Sequence, residues 1–290
     1  MRFWKAHGAG NDFVLLVDPD QRLDLTPALV RALCDRRHGV GADGVLRLIA
    51  GAEGTDVFMD HRNADGSAAA TCGNGVRVVA KHVVDHAEVI PTDGRVRVGT
   101  RAGTRTVTVH RGPEGRVVAA SVDMGAPALR PRAVPFHADG PQAIDEPVDV
   151  DGRVVRVSAV SMGNPHAVVL VDDVASAPVS GLGAALEVHE RFPERTNVEF
   201  VQPLGDGRVR VRVWERGVGE TAACGSGACA VAVALHARGR AGDELIQLWP
   251  GGELTTRYAP TEHPSVVLTG PAVEVAQGIL DPLWLQRVAA

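Results

Sequence analysis

Two short segments carry the residues best suited to chemistry: TCGNG at 71–75 and ACGSG at 223–227. In each, Cys-Gly-x-Gly precedes a run of small and apolar residues, a pattern that predicts a cysteine at the start of a buried helix. The first turn of a helix presents unpaired N–H donors and the positive end of its dipole. A thiol placed there is expected to have a lowered pKa, so that thiolate is accessible near neutral pH. Gly73, Gly75, Gly225 and Gly227 have no side chains to cover those donors, which can then hold an anion such as a carboxylate. One segment offers a basic sulfur beside a carboxylate clamp. Two segments offer a thiolate for one face of a bound carbon and a thiol for the other. That set suits removal and return of an amino acid's α-proton, because the charge that grows on the carboxylate meets two helix starts.

The elements that must position these cysteines repeat. TCGNGVRVVA at 71–80 matches ACGSGACAVA at 223–232, with the cysteines 152 positions apart, and the same offset sets Asn63 opposite Glu215. An offset of 153 sets GNDFVLLVD (10–18) opposite GNPHAVVLV (163–171), pairing Asn11 with Asn164. Three matches in one order at nearly constant spacing indicate two homologous halves, each with strands leading to Cys-Gly-x-Gly and a buried helix. A pseudo-two-fold pair of such halves is expected to bring the cysteines face to face across a cleft.

Strands are predicted over 12–18, 56–62, 95–100, 105–110, 153–160, 208–215 and 265–270, where apolar residues alternate or run between Gly, Pro and Asp. A helix is predicted over 27–36, with Thr26 as N-cap and Pro27 in its first turn. A second starts near Gly73, with Val76, Val79, Ala80, Val83 and Val84 at helical spacing. The third, from Gly225, is apolar all round after Ser226 and belongs in a core. The Pro-rich stretch 125–147 is the expected linker.

Composition narrows the function. The 290 residues are 45% hydrophobic and 22% charged with a net charge of −5, the profile of a soluble globular protein of about two domains. Basic clusters are too short to track nucleic acid, and no apolar run is long enough to span a membrane. The N-terminal MRFWKAHGAGNDF lacks a signal-peptide core, so the chain is expected in the cytoplasm. Four cysteines are too few for a disulfide framework, and Cys34 and Cys229, in apolar helices, read as small core residues. No metal is expected, on the reading that neither CxxC nor HxxxH spacing occurs and that Cys224 lies i,i+5 from Cys229. No cofactor is expected either. Phosphate-loop patterns are incomplete, and pyridoxal chemistry would need Lys5, in a strand, or Lys81, in mid-helix.

With those residues in view, the chain closely resembles the diaminopimelate epimerase family. The resemblance runs along nearly the whole length: HGAGNDF at 7–13, NADGS and TCGNG within 63–75, SMGNPH at 161–166, TNVEFV at 196–201, ERGVGETAACGSGA at 215–228 and TGPA at 269–272. It implies that Cys72 and Cys224 are the acid–base pair. It implies that Gly73, Asn74, Gly225 and Ser226 bind the reacting carboxylate, and that Asn11, Asn63, Asn164, Asn197, Glu215 and Arg216 hold the remaining substrate groups. His166 and Glu215 would tune the thiols. The chain departs from the family at Gly44, where many members carry a glutamine that touches substrate; its mate at the 153 offset is Asn197. The implied fold is α+β: two pseudo-symmetric domains, each a curled, barrel-like mixed sheet around a central helix, with a cleft between them. The implied halves are 1–124 with 273–290, and 125–272.

The implied activity is cofactor-independent interconversion of LL- and meso-2,6-diaminopimelate in lysine and peptidoglycan-precursor biosynthesis, with a small-molecule substrate and no nucleic-acid or membrane partner. A homodimer is left open. Two rivals stand beside it: a racemase of the same scaffold for proline, hydroxyproline or histidine, and a non-catalytic binding protein in which the cysteines form a redox switch. Taken singly, Asn11, Asn164 and Asn197 could serve turns, and Glu215-Arg216 could be a solvated ion pair. If the two thiols face one carbon, mild oxidation is expected to give a Cys72–Cys224 disulfide reversible by dithiothreitol. Peptide mapping that finds the two sulfurs only in separate adducts would count against it.

Overall fold

A helix that begins inside a core must find acceptors for its first N–H groups. In the computed structural model, which describes residues 1–69 and 72–289, both cysteine segments solve this alike. Cys72 and Cys224 have extended backbones (φ −152°, ψ 115° and φ −122°, ψ 120°) and are the N-caps of helices Gly73–Asp85 and Gly225–Ala237. Each starts where the sequence places it. Thr71, the first residue of the first motif, lies outside the described residues.

In chain order the elements are β1 (Arg2–Gly8), β2 (Asn11–Val17), α1 (Pro27–Cys34), β3 (Gly44–Ala50), β4 (Val57–Asn63), α2 (Gly73–Asp85), β5 (Arg95–Thr100), β6 (Gly103–Arg111) and β7 (Val117–Asp123). They continue as β8 (Glu146–Val150), β9 (Arg153–Ser161), β10 (Pro165–Leu170), α3 (Val179–Glu187), β11 (Asn197–Gly205), β12 (Arg208–Glu215) and the short β13 (Gly219–Thr221). The last are α4 (Gly225–Ala237), β14 (Glu244–Trp249), β15 (Gly252–Arg257), β16 (Val267–Pro271), β17 (Val273–Ile279) and α5 (Pro282–Ala289). The chain divides into one unit of Met1–Val122 with the stretch from Gly270 onward, and a second of Asp123–Thr269.

The first unit has strand order β17-β1-β2-β3-β4-β5-β6-β7, in which β2/β3 and β4/β5 are parallel and the other described pairs antiparallel. The second has β8-β9-β10-β11-β12-β14-β15-β16, with β10/β11 and β12/β14 parallel and the rest antiparallel. The two sequences of pairings are the same. The duplication extends to register: Phe13 pairs with Gly44, and His166, 153 positions on, pairs with Asn197. The class is α+β, and each sheet is mixed.

Each sheet is curled around its own helix. α2 packs against β1, β3, β4, β5, β6 and β17, and α4 against β9, β10, β11, β14 and β15. Every residue from Gly73 to Val84 is buried, as is every residue from Gly227 to Leu235. The all-apolar α4 needs nothing more. α2 carries polar groups into the core and pairs several of them: Arg77 donates to Asn74 Oδ1 (2.6 Å), and Lys81 donates to Asp85 (2.7 Å) and the Val117 carbonyl (2.6 Å).

The strands expected over 95–100 and 208–215 form with those bounds, and the other five within a few residues. α1 stops at Cys34, two residues short of expectation, because Asp35 turns extended and its carboxylate takes the Arg37 and His38 N–H groups (both 2.7 Å). The stretch read as a linker contains a 3-10 turn at Pro131–Ala133 and ends in β8. Pro147 is tolerated in β8 because that strand pairs only with β9, so a missing N–H breaks no ladder.

One polar cluster anchors β4 beneath the first cysteine segment. Asp60, 3% exposed, accepts from Arg47 (2.6 Å), Arg62 (3.0 Å) and Arg101, and Arg101 also donates to the His61 carbonyl (3.1 Å). Burial pushes the Asp60 carboxyl up, but the three guanidinium groups outweigh it and hold it at about 2. A folded-state pKa below the unfolded value stabilises the fold above pH 3.8, and that contribution is lost as pH falls toward 2. Asp60→Asn is expected to cost about 3 kcal/mol in urea unfolding at pH 7, at the low end for a broken buried pair because Arg62 and Arg101 reach solvent. The deficit relative to the parent should shrink in acid.

Candidate active site

The start of α2 is lined with amides. Cys72 Sγ accepts from the Gly75 N–H (3.4 Å) and lies 3.7 Å from Asn11 Oδ1, which also accepts from Asn74 Nδ2 (3.2 Å). Asn11 in turn donates to Asp43 (3.0 Å), so Asn11, Cys72 and Asn74 are brought together at the Asn11 end of β2. Asp12 supports that end. Burial raises its carboxyl, but hydrogen bonds from Arg36 and Lys5 outweigh it and carry it far below the usual carboxylate range. Asn63 stands at the end of β4, bonded through its side chain to Ser67 (3.0 Å) and not to the cysteine cluster. A Cβ on Gly75 would come within 3.2 Å of Leu46 Cδ2 and 3.3 Å of Met59 Sδ, so the ground beneath Cys72 is apolar.

The start of α4 has the same backbone and different chemistry. Cys224, 7% exposed, accepts from the Gly227 N–H (3.4 Å) and lies 3.5 Å from Ser226 Oγ. Beneath it sits a fully buried pair: His166 Nδ1 is 2.7 Å from Glu199 Oε1, and His166 Nε2 is 3.2 Å from Asn164 Oδ1. A Cβ on Gly227 would lie 2.6 Å from Glu199 Oε1, so only glycine lets the helix start this close to the carboxylate. Glu215, at the end of β12, accepts from Thr221 Oγ1. Burial pushes the Glu215 carboxyl up against the Thr221 bond, with the Glu199 charge adding to the rise and His166 opposing it.

The expected low thiol pKa is corrected at Cys224. Burial comes first and the Glu215 and Glu199 charges second, and together they push this thiol well above its ordinary value. Ser226 and the Gly227 N–H pull it down and are outweighed. A helix N-terminus lowers a thiol's pKa, yet its reach is about one turn, and two carboxylates inside a desolvated site exceed it. Glu199 was not singled out from sequence. Its signal was a carboxylate inside the otherwise apolar VEFV run at 198–201, at the position where the first half has Leu46.

Two expected binding side chains are placed differently. Gly44 has no room for a side chain, since a Cβ would fall 2.7 Å from the Arg62 carbonyl and 3.1 Å from His61 Nε2. Its mate Asn197 is anchored to backbone on both sides: Nδ2 donates to the Pro165 carbonyl (2.9 Å) and Oδ1 accepts from the Arg216 N–H (2.9 Å). Asn197 therefore sets the backbone of Arg216, whose exposed guanidinium donates to the Glu194 carbonyl (2.9 Å). Of the other cysteines, burial holds Cys34 up at about 11, and Cys229 is fully buried in α4. Lys5 is committed to Asp12 (2.5 Å) and the Gly41 carbonyl, and Lys81 to Asp85, so both are held as structural cations. The reading that no HxxxH spacing occurs is corrected. His82 and His86 have HxxxH spacing, and among the described residues they meet Glu274 with ligand atoms within 4.8 Å of one another.

The sequence and fold have known counterparts. The family model for diaminopimelate epimerase matches residues 3–129 and 158–275. The chain is 44% identical over 280 residues to the diaminopimelate epimerase of Azotobacter vinelandii, covering 96% of this chain and 98% of that protein. It is 45% identical over 283 residues to that of Aromatoleum aromaticum, covering 97% and 99%. Among solved structures, a probable proline racemase from Agrobacterium radiobacter superposes with a TM-score of 0.71 at 18% identity, covering 97% of this chain and 93% of the other. A hydroxyproline epimerase from Agrobacterium vitis gives 0.70 at 18% identity, covering 98% and 93%. At such identities the structures speak for the fold alone.

The carboxylates around Cys224 have a direct readout. In a Cys72→Ala background, Glu215→Gln removes a negative charge beside the sulfur and so lowers its pKa. Alkylation by iodoacetamide at pH 9 is expected to speed up at least roughly threefold, following the thiolate fraction. An unchanged or slower rate would show that Glu215 does not act on Cys224.

Proposed function

The chain belongs to the diaminopimelate epimerase family, and on that premise we propose that it interconverts LL- and meso-2,6-diaminopimelate by a two-cysteine acid–base mechanism without a cofactor. The observation that carries this reading is the pair of helix starts at Cys72 and Cys224, each with its sulfur against the third amide of a glycine-opened turn. One cysteine, as thiolate, takes the α-proton. The C–H electron pair passes to the α-carbon and into the carboxylate. The S–H bond of the other cysteine breaks as a new C–H bond forms on the opposite face. One thiolate and one thiol enter and leave with roles exchanged, so no external acid, base or electron carrier is consumed.

Gly73, Asn74, Gly225 and Ser226 hold the reacting carboxylate at the helix starts, where the growing charge is stabilised. Asn11, Asn63, Asn164, Glu215 and Arg216 take the remaining amino and carboxyl groups. Gly44 offers no side chain, and Asn197 acts by holding Arg216. The raised pKa of Cys224 supports its entering catalysis as the protonated acid. A substrate ammonium arriving beside Glu215 offsets the carboxylate charge and brings that thiol down, so binding readies Cys224 for its turn as base. His166 acts on Cys224 through its effect on Glu215 and through Glu199. The enzyme would work in the cytoplasm, in lysine and peptidoglycan-precursor biosynthesis. Both cysteines come from one chain, so the chemistry does not call on a second copy, whether or not a homodimer forms.

Cys72→Ala and Cys224→Ala should each keep the fold and lose at least about 10²–10⁴-fold in kcat, the range of one general acid–base step. The measurement is epimerisation of LL-diaminopimelate in deuterated water, with α-deuterium appearing in both isomers for the parent and in neither for the variants. Retention of a substantial rate by either variant would overturn the mechanism. L-proline and L-lysine on the same preparation fix the substrate: turnover of L-proline equal to that of diaminopimelate would leave only the scaffold assignment standing.

A further inference from the structure

The far end of α2 holds a second group of ligating side chains. His82 and His86 lie one turn apart on one face of the helix. Glu274 of β17 reaches between them, with Oε1 2.7 Å from His82 Nδ1 and Oε2 3.0 Å from His86 Nε2. We propose that His82, His86 and Glu274 form a site for a divalent transition-metal ion of the zinc type, fastening β17 to the helix whose N-cap is Cys72.

The donor set fits such an ion. Two imidazoles and one carboxylate suit zinc or cobalt, whereas magnesium and calcium want all-oxygen ligands. Bonds of about 2.0–2.2 Å to a tetrahedral ion set neighbouring donors roughly 3.3–3.6 Å apart. The present carboxylate contacts of 2.7 and 3.0 Å are shorter than that and the ligand atoms all lie within 4.8 Å of one another, so the carboxylate withdraws and the imidazoles adjust for an ion to sit between the three. Three protein ligands leave a fourth position for water, and His86, 30% exposed, marks the open side.

The surroundings are arranged as around a ligated histidine. A metal-bound imidazole commonly gives its other N–H to a carboxylate, which fixes the tautomer. His82 is fully buried, its Nε2 has no hydrogen-bond partner, and Glu88 Oε1 stands 3.7 Å from that nitrogen. A proton on Nε2, facing Glu88, leaves the Nδ1 lone pair directed at Glu274 and the ion. Trp4 walls the site edge-on, with ring centroids 4.6 Å from His82 and 5.5 Å from His86.

The site is remote from the chemistry, since His82 lies 10 positions along the chain from Cys72, at about 1.5 Å of helix rise each. Its effect should be on the hold of β17, independent of the proposed activity. The test uses the full chain, stripped by chelator and titrated with Co²⁺ alone. One equivalent is expected, giving visible d–d absorption without a thiolate-to-cobalt charge-transfer band and quenching the fluorescence of Trp4. The signal should persist in Cys72→Ala/Cys224→Ala. It should weaken at least about 100-fold in His86→Ala, since losing even an outer partner of a ligand costs about 10–100-fold. Glu274→Gln, which keeps side-chain shape, should weaken it too, and Zn²⁺ should raise the Tm of the parent but not of either variant. No cobalt uptake, uptake unchanged in both His86→Ala and Glu274→Gln, or a band that vanishes with the cysteines would each overturn the site and leave a proton-bridged His–Glu–His network in its place.

Discussion

A helix whose first turn is buried leaves several N–H groups with no water to meet them. In this protein a cysteine sulfur takes one of those groups in each half, at 3.4 Å, and glycines keep the neighbouring ones uncovered. Much of the structure depends on that arrangement. The helices can be buried along nearly their whole length only because a sheet curls around each, and both halves supply such a sheet with eight strands in the same order. The glycines that leave those N–H groups bare also let the helix start close to the strands beneath. Gly227 illustrates the limit, since a single added carbon would fall 2.6 Å from Glu199 Oε1.

On that shared frame the two halves have separated electrostatically. Phe13 pairs with Gly44 in one, and His166 pairs with Asn197 in the other. Leu46 underlies the first helix start where Glu199 underlies the second. Cys72 therefore sits among neutral amides above apolar side chains, while Cys224 sits above a buried histidine–carboxylate pair and beside Glu215. Two sulfurs in equivalent backbone positions thus have different described neighbours, and at Cys224 these push the thiol up.

The same division between frame and filling holds at the edges of the sheets. β17 and β8 occupy matching positions, antiparallel to β1 and to β9, yet one comes from near the end of the chain and the other from its middle. Because β17 arrives from far along the sequence, it brings Glu274 onto the end of α2 beside His82 and His86. Nothing local to α2 would have supplied that carboxylate.

The starts of both buried helices were legible in the sequence because capping is local: a cysteine followed by Gly-x-Gly and a small, apolar run has few other ways to fold. The constant offsets of 152 and 153 were enough to expect two halves of one design, and alternation placed seven strands. Their pairing order, and the eight-strand pattern common to both halves, needed the tertiary structure, since hydrogen bonds between distant segments leave no local trace. The electrostatics of the site also escaped the sequence. A helix start lowers a thiol's pKa by a local rule, but the direction at Cys224 was decided by burial and by Glu215 and Glu199, brought in from two other strands. Asn197 could be paired with Gly44 by counting, but only the fold shows that both of its amide atoms are taken by backbone. Spacing determines what one element presents. Which charges face it, and how much water remains between them, depends on contacts that only the folded chain makes.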